Sequence, residues 1–357
     1  MSKQRTGLLA LLTLLFMSPA VLAEDLDAWA AAKQMGIGAN IGNTFDNTTI
    51  WETGWGNPVI TKEFVENLAK LGFKTVRLPV AWDTYAHDGR IDAKKMARVS
   101  EVVDWITGAG MYCVINIHWD GGWIDSSYKE KFGKTYATFS PEAETRFVSY
   151  WTQIANHFRD RNERVLFEGL NEETHFENEG STKKAFDTLK RVNQLFIGTV
   201  RKTGGNNAKR LLIVTGYATD FAKTASEDFE LPVDSVPHRL MISVHYYTPW
   251  QFVGMEKDES WGKRQLDWGS TRDVADLNRL FDLMQDFCKR NDIPAYVGEF
   301  GVVEKRESAA RVRWMKAVIE ASLSRDMVPV LWDTGGDLPR RPPYGASADL
   351  REALGQR

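Results

Sequence analysis

Cysteine is scarce in this sequence of 357 residues, which contains only Cys113 and Cys288. Cys113 lies in an apolar strand-like run, and Cys288 lies late in an amphipathic helical pattern far along the chain. We interpret both as free thiols. A scaffold held by disulfide bonds is therefore excluded, because such exported scaffolds are rich in cysteine pairs.

Motifs for metal ions, nucleotides and nucleic acids are also absent. The histidines do not occur at HExxH spacing, and there is no CxxC pair and no phosphate loop of the Gly-x4-Gly-Lys type. The net charge is −3, and no basic stripe could follow a nucleic-acid backbone. We therefore expect no cofactor, no catalytic metal and no nucleic-acid partner. The sequence leaves open a calcium ion in a loop.

Long apolar runs are missing except at the start of the chain. There, Lys3 and Arg5 precede an apolar run over residues 7–16, Pro19 ends it, and small residues lead to Ala23. The run is shorter than the roughly 20 residues that cross a bilayer. This pattern predicts a signal peptide over residues 1–23, with an uncleaved anchor as the alternative. The protein is then secreted or periplasmic and has no membrane attachment after cleavage.

The rest of the chain reads as one domain over residues 24–357, because no linker, low-complexity repeat or charge run divides it. Short apolar runs alternate with helical patterns, as is typical of parallel strands buried on both faces. The predicted strands are 37–41, 74–78, 111–117, 165–170, 210–215, 240–244, 295–298 and 328–332. Eight such strands predict a single (β/α)8 TIM barrel. The alternative is a doubly wound open sheet, which normally has a glycine-rich turn after its first strand.

Polar residues stand at the ends of six predicted strands, where a barrel of this kind has its active site. They are Arg77, His118, Asn171 with Glu172, His245 with Tyr247, Glu299, and Trp332. Each one alone has an ordinary explanation, such as a structural ion pair, a semi-buried histidine, a helix cap or a core tryptophan. Their combination on six strand ends predicts a functional site.

Glu172 and Glu299 have the same local setting, a short apolar strand followed by a carboxylate where the strand opens into a loop. Two carboxylates at matching ends of parallel strands are what cleavage of a glycosidic bond requires, one as acid and one as nucleophile or base. The pair predicts a glycoside hydrolase.

In its chain order, this set of residues resembles glycoside hydrolase family 5, the cellulase family of retaining β-glycanases. Segments 38–46, 55–58 and 77–82 also resemble its endo-β-1,4-glucanase branch. The resemblance covers nearly all of residues 24–357. Two positions depart from it: Glu173 stands where the family often has proline, and Trp119 stands where the branch often has a second histidine. Both departures leave the substrate preference open.

The resemblance implies a role for each site residue. Glu172 would be the general acid/base and Glu299 the nucleophile. Arg77 and Tyr247 would keep the pKa of Glu299 below that of Glu172. His245 would adjust the pKa of Glu172. The sugar would be held by the remaining members of the set: Asn171 at its 2-hydroxyl, His118 at another hydroxyl, and Trp332 as its floor. Further candidates for sugar contacts are Asn43 in the opening motif and Trp51, Trp55, Trp119 and Trp123 on loops.

The sequence thus predicts an exported, monomeric, retaining endo-β-1,4-glucanase that hydrolyses cellulose-like or related β-glucans. A β-mannanase or a xyloglucanase is the alternative within the same chemistry, because loop residues choose the sugar. A carbohydrate-binding barrel without catalysis and a metal-dependent barrel enzyme are alternatives from other classes.

Overall fold

A closed barrel of eight parallel strands forms the centre of the computed structural model, which describes residues 26–124, 139–172 and 182–356. The barrel strands are β1 (Gly38–Asn40), β2 (Thr75–Leu78), β5 (Tyr112–Asn116), β6 (Val165–Glu168), β7 (Leu212–Thr215), β8 (Leu240–Tyr246), β9 (Ala295–Phe300) and β10 (Val328–Leu331). Around the barrel they follow the order β1, β10, β9, β8, β7, β6, β5, β2. The predicted TIM barrel is confirmed, and the alternative open sheet is wrong.

All eight predicted strands are present, each within a few residues of its predicted bounds. The sequence did not predict the antiparallel hairpin of β3 (Ala86–His87) and β4 (Arg90–Ile91), because strands of two residues carry no hydrophobic period. The predicted signal peptide and Glu173 lie outside the described residues.

Helices connect the strands and cover the outside of the barrel. They are α1 (Ala28–Met35), α2 (Lys62–Lys70), α3 (Ala93–Gly108), α4 (Pro141–His157), α5 (Thr182–Lys202), α6 (Phe221–Thr224), α7 (Trp250–Val253), α8 (Thr271–Asn291), α9 (Ser308–Leu323) and α10 (Ala348–Ala353). Several start at a side-chain cap; at α8, Ser270 and Asp273 form a reciprocal capping box. None of the helices in the described ranges has the length and apolar character needed to cross a bilayer.

Side chains alternate between the two faces of the barrel wall because the side-chain period of a strand is two. On β8, Ile242 and Val244 belong to the main core between strands and helices, whereas Met241 belongs to a smaller inner cluster. The inner cluster includes Ala28 and Met35 of α1. Helix α1 therefore closes the N-terminal end of the barrel with apolar side chains.

The opposite half of the barrel interior is polar. Asn40, Arg77, Glu168 and Ser243 are all fully buried there, one on each of four strands. Buried polar groups are costly unless they are hydrogen-bonded to one another or to the backbone. This polar layer lies directly beneath the C-terminal strand ends and supports the residues that follow them.

Candidate active site

Glu172 and Glu299 meet at the C-terminal end of the barrel. Glu299 lies within β9 and its side chain is 7% exposed, whereas Glu172 follows β6 and its side chain is 41% exposed. One carboxylate oxygen of each lies within 4.8 Å of the other. Carboxyl groups about 5–5.5 Å apart are typical of retaining glycosidases, and inverting enzymes need about 6.5–9.5 Å. The spacing fits direct attack by one carboxylate.

Glu299 is held by the two donors that the sequence predicted. Arg77 Nη1 donates a hydrogen bond of 2.6 Å to Glu299 Oε1. The hydroxyl of Tyr247 donates one of 2.9 Å to Oε2. Burial and the charge of Glu299 raise the pKa of Tyr247 well above its ordinary value, so the phenol remains a donor. Both oxygens of Glu299 are therefore oriented before any substrate arrives.

Glu172 is paired with His245, as the sequence also suggested. His245 Nδ1 lies 2.6 Å from Glu172 Oε1 and 3.7 Å from Glu299 Oε2. Burial lowers the pKa of His245, but the charges of Glu299 and Glu172 outweigh it and raise this pKa overall. His245 thus stands between the two carboxylates as a proton carrier.

The pKa values of the two glutamates do not follow the predicted order. Burial is the largest influence on Glu299 and raises its pKa, although the charges of His245 and Arg77 act against it. Burial also raises the pKa of Glu172, but the hydrogen bond and charge of His245 outweigh burial and lower it overall. The prediction that Glu172 has the higher pKa is wrong for the site without substrate, because burial raises the pKa of Glu299 while His245 lowers that of Glu172.

A coupled pair explains the low pKa of Glu172. The lowered pKa of Glu172 favours its carboxylate and the raised pKa of His245 favours its protonated ring, so Nδ1 of His245 is the donor to Glu172 Oε1. Glu172 and His245 therefore hold one proton between Oε1 and Nδ1, across 2.6 Å. The proton that an acid catalyst needs is one hydrogen bond away from Glu172.

The structure adds a buried carboxylate, Glu168, that the sequence reasoning missed. Arg77 Nε donates a hydrogen bond of 2.6 Å to Glu168 Oε2, and both side chains are completely buried. Ser243 Oγ donates one of 2.7 Å to Glu168 Oε1. The charge of Arg77 is thus shared between Glu168 and Glu299. The sequence does contain a signal for Glu168, because a glutamate is unusual in an apolar strand such as β6. It lies two residues from Leu166, which faces the barrel interior, so it lies on the same face.

The other donors of Arg77 fix two asparagines. Nη1 also donates to Asn40 Oδ1 at 3.1 Å, and Nη2 donates to Asn171 Oδ1 at 2.8 Å. Because Arg77 takes the oxygen of Asn171, the amide nitrogen of that side chain is left to donate elsewhere. Asn171 is thus oriented by the same guanidinium that holds Glu299.

His118 and Trp332 lie side by side in the cleft. Their rings are nearly parallel, at 8°, with centroids 5.7 Å apart. A Cβ added to Gly42 would lie 3.0 Å from the indole ring of Trp332, so the absence of a side chain there lets the ring lie against the backbone. Burial, Arg77 and His245 hold the pKa of His118 well below its ordinary value. His118 is therefore a neutral ring beside a flat aromatic wall.

The loop candidates separate into buried and exposed residues. Trp51 is 8% exposed, donates its indole N–H to Phe45 O, and has Lys95 Nζ 4.4 Å from its ring centre. The ring of Trp51 is thus used largely in packing, and its contact with sugar stays a prediction. Asn43 is half-buried and its backbone N–H is held by Asp46.

Two of the remaining tryptophans present their rings to solvent. Trp119 and Trp55 are 45% and 41% exposed. Trp123 is 4% exposed and packs edge-on against Tyr150. His118, Trp119, Trp123, Asn171 and Glu172 line a common depression. Trp119 therefore stays a candidate for contact with a bound sugar.

A metal ion would have to use the same residues. Within the described ranges, Glu172, His245 and Glu299 place ligand-type atoms within 4.8 Å of one another. These atoms already bond one another, Arg77 and Tyr247. The guanidinium beside Glu299 also repels a cation. The cluster is better suited to holding and moving a proton.

Comparison with known proteins shows the family of this chain. Residues 36–337 match the family model described as cellulase (glycosyl hydrolase family 5). Endoglucanase A of Paenibacillus barcinonensis is 33% identical, over 91% of this chain and 89% of that protein. The xyloglucan-specific endo-β-1,4-glucanase of Bacteroides ovatus is 32% identical, over 87% of this chain and 66% of that protein. A solved broad-specificity endoglucanase from an uncultured bovine rumen ciliate superposes with a TM-score of 0.81 at 32% identity, over 92% of this chain and 97% of that chain.

Some relatives are much longer than this chain. It spans 37% of the cellulase/esterase CelE of Acetivibrio thermocellus and 63% of endoglucanase A of Clostridium longisporum. The matched part includes the whole barrel and the paired glutamates. The chain belongs to the cellulase family, glycosyl hydrolase family 5, and is a glycoside hydrolase.

Proposed function

We propose that this protein is an endo-β-1,4-glucanase that acts with retention of anomeric configuration, with Glu299 as nucleophile and Glu172 as general acid/base. The observation that carries the proposal is the pair of carboxylates within 4.8 Å, one fixed by Arg77 and Tyr247 and the other joined to His245. A carbohydrate-binding protein without catalysis has no need of this difference between two carboxylates.

In the first step, Glu299 attacks the anomeric carbon and the glycosidic oxygen leaves. Glu172 gives its proton to that oxygen after recovering it from His245 across their hydrogen bond of 2.6 Å. Arg77 and Tyr247 orient the attacking carboxylate by their hydrogen bonds, and the charge of Arg77 favours its ionised form. The products are a glycosyl ester on Glu299 and a free sugar hydroxyl.

In the second step, water replaces the departed sugar. Glu172, now a carboxylate, takes a proton from the water, and the hydroxide oxygen bonds to the anomeric carbon as the bond to Glu299 breaks. His245 can then take the proton back from Glu172. The site returns to its starting charge, and two displacements on the same carbon leave the configuration unchanged.

The cleft residues stabilise the transition state in this proposal. The amide nitrogen of Asn171 donates to the 2-hydroxyl, a bond that strengthens as the sugar approaches the oxocarbenium ion. Trp332 provides an apolar face for the sugar ring, and His118 contacts a hydroxyl on the same unit. Trp119 extends the cleft to a further sugar unit.

The names of the relatives support the proposed substrate class. Several of the relatives are endoglucanases, which favours a β-1,4-glucan. The xyloglucan-specific relative and the broad-specificity endoglucanase structures make xyloglucan the second candidate. We also propose that residues 1–23 direct export and that the protein acts as a secreted or periplasmic monomer on polysaccharide.

Three variants test the proposal. Glu299→Gln and Glu172→Gln should each lower kcat on carboxymethylcellulose by more than about a thousandfold, because each removes a group that takes part in bond cleavage. Glu63→Gln, on the exposed surface of α2, is the control and should be fully active. Proton NMR of the first product formed should show the β-anomer. The α-anomer as first product, or near wild-type activity of Glu299→Gln, would contradict the mechanism.

A panel of glucans tests the substrate. Reducing sugar should appear from carboxymethylcellulose, lichenan and xyloglucan, with rapid loss of viscosity that marks internal cleavage. Activity on mannan alone would overturn the assignment to glucans. Recovery of residues 24–357 from the periplasm or medium tests export.

A further inference from the structure

Asn116 lies behind the sugar-facing residues and bonds one of them. It is the last residue of β5 and is completely buried. The backbone N–H of Val80 lies 3.2 Å from Asn116 Oδ1. A backbone N–H can only donate, so this contact determines which side of the Asn116 amide is oxygen. The amide nitrogen must occupy the other side.

That nitrogen meets His118. Asn116 Nδ2 lies 3.2 Å from His118 Nδ1. An amide nitrogen is a donor without acceptor capacity, so Nδ1 of His118 must accept and cannot carry a hydrogen. The pKa of His118 is held well below its ordinary value by burial, Arg77 and His245, so the ring carries a single proton. That proton is then on Nε2.

The opposite edge of the ring faces the cleft. Nδ1 accepts the hydrogen bond from Asn116 in the barrel wall, and His118 lines the depression shared with Asn171 and Glu172. The ring plane is set by its parallel neighbour Trp332, at 8°. The His118 ring is therefore fixed in its plane, and its Nε2–H faces the cleft.

We propose that Asn116 is a positioning residue that locks His118 as the Nε2–H tautomer, so that His118 donates a hydrogen bond to a hydroxyl oxygen of the bound sugar. This proposal rests on the proposed glucanase function for the identity of the ligand. The tautomer itself follows from the chain of contacts from Val80 through Asn116 to His118. Asn116 touches no substrate and acts through His118.

The substitution Asn116→Asp tests this link with a change of one atom. Aspartate keeps the oxygen that accepts the N–H of Val80, but its other atom becomes an acceptor. His118 must then place a hydrogen on Nδ1. Its Nε2 becomes an acceptor if the ring stays neutral, or the ring becomes a cation beside Arg77 and His245.

A matched control is available at Asn193 on α5. Its Oδ1 accepts the backbone N–H of Thr215 at 3.1 Å and its Nδ2 donates to Thr215 O at 2.9 Å. Asn193→Asp therefore removes one buried amide donor, as Asn116→Asp does, but at a position with no contact to His118 among the described residues. It reports what loss of a buried donor does to stability and activity by itself.

The first measurement uses the wild-type protein with ¹⁵N-labelled histidine. Long-range ¹⁵N–¹H correlation spectra at neutral pH should show His118 with an unprotonated Nδ1 and a protonated Nε2. Asn116→Asp should move the hydrogen to Nδ1, and Asn193→Asp should leave the wild-type pattern. A wild-type His118 protonated on Nδ1, or an unchanged tautomer in Asn116→Asp at a pH where the introduced carboxyl group is ionised, would overturn the proposal.

The second measurement is kinetic. Asn116→Asp should lower kcat/KM for a soluble cello-oligosaccharide about ten- to a hundredfold, as expected when one hydrogen bond to the ligand is lost. Asn193→Asp should retain kcat/KM at a temperature where it is folded. A tautomer switch with unchanged kcat/KM would show that His118 does not donate to the sugar. If Asn116→Asp does not fold, the wild-type spectrum still decides the tautomer, and it does so even if the protein hydrolyses no glucan.

Discussion

Replacing Glu168 by glutamine should change both the stability of the barrel and the acid side of its pH–rate profile. Glu168 and Arg77 form an ion pair of 2.6 Å with both side chains completely buried. Arg77 also bonds Glu299. The barrel interior therefore holds two carboxylates for one guanidinium, and Glu168→Gln removes one negative charge without changing the shape of the side chain.

The loss of stability follows from the contacts of Glu168. Glutamine can still accept from Arg77 Nε and donate to Ser243 Oγ, so two hydrogen bonds remain but neither involves a charged carboxylate. Hydrogen bonds to charged groups contribute about 1.5–3 kcal/mol, so we expect a loss of about that size. Glu168→Ala leaves Arg77 Nε without its partner and should cost about 3–5 kcal/mol. Urea denaturation monitored by tryptophan fluorescence measures both.

The pH effect has a definite sign. Without the charge of Glu168, the whole guanidinium charge of Arg77 acts on Glu299 and lowers its pKa. The other charged or titratable groups that interact with Glu299, which include Glu172, His245, Tyr247, Asp46 and Tyr296, are unchanged. The acid limb of kcat/KM should therefore move to lower pH. Initial rates on a soluble cello-oligosaccharide between pH 3.5 and 8 measure the shift.

A surface pair provides the control. Lys183 and Asp187 form an exposed ion pair on α5, with side chains 81% and 62% exposed. Asp187→Asn removes one negative charge there and should change neither the unfolding free energy nor the acid limb measurably, because exposed pairs contribute little. An acid limb in Glu168→Gln that coincides with that of Asp187→Asn would refute the shared-charge reasoning. So would an equal unfolding free energy in the two variants.

Three further changes test other parts of the structure. Burial raises the pKa of Asp120 from 3.8 to about 6, so the stability it contributes is full below about pH 4 and is lost as the pH rises through 6. In urea denaturation, the free energy of unfolding should fall by up to about 3 kcal/mol less between pH 4 and 7 in Asp120→Asn than in the wild type. The same dependence of the unfolding free energy on pH in both proteins would contradict this. Gly42→Ala places a Cβ 3.0 Å from the Trp332 ring and displaces it, so kcat/KM should fall about tenfold. An unchanged kcat/KM would show that activity does not depend on this position of the ring. Trp119→Ala removes a ring that is 45% exposed and should raise KM for long glucans with little change in kcat, and equal KM values would exclude a sugar contact.

The resemblance to glycoside hydrolase family 5 predicted the main contacts of the site, and the order of strands in a parallel barrel explains why these residues meet. Arg77 and Tyr247 were expected to hold Glu299, and His245 was expected beside Glu172; the structure shows all three contacts. Strand ends of such a barrel converge at one rim, so a residue's position at a strand end is enough to predict its neighbourhood.

What the sequence did not predict depends on the side chains between those positions. Glu168 occupies a strand position that is normally apolar, and its partner Arg77 is 91 residues away. Trp51 and Trp119 both lie on loops at the rim, but one is packed under Lys95 and the other is exposed. The local sequence of a loop does not determine which face of a ring the fold covers.

The sequence by itself determined the barrel and the two glutamates at its strand ends, since hydrophobic period and strand order are properties of the chain. The partners of the glutamates were implied by the resemblance of the ordered residues to glycoside hydrolase family 5. Only the tertiary structure decided how charge and protons are distributed among those residues. The pKa of Glu299 depends on how deeply β9 buries it, and the charge of Arg77 available to it depends on Glu168 of β6. Electrostatic energies depend on distance and on exclusion of water, and both arise from strands that meet only when the barrel closes.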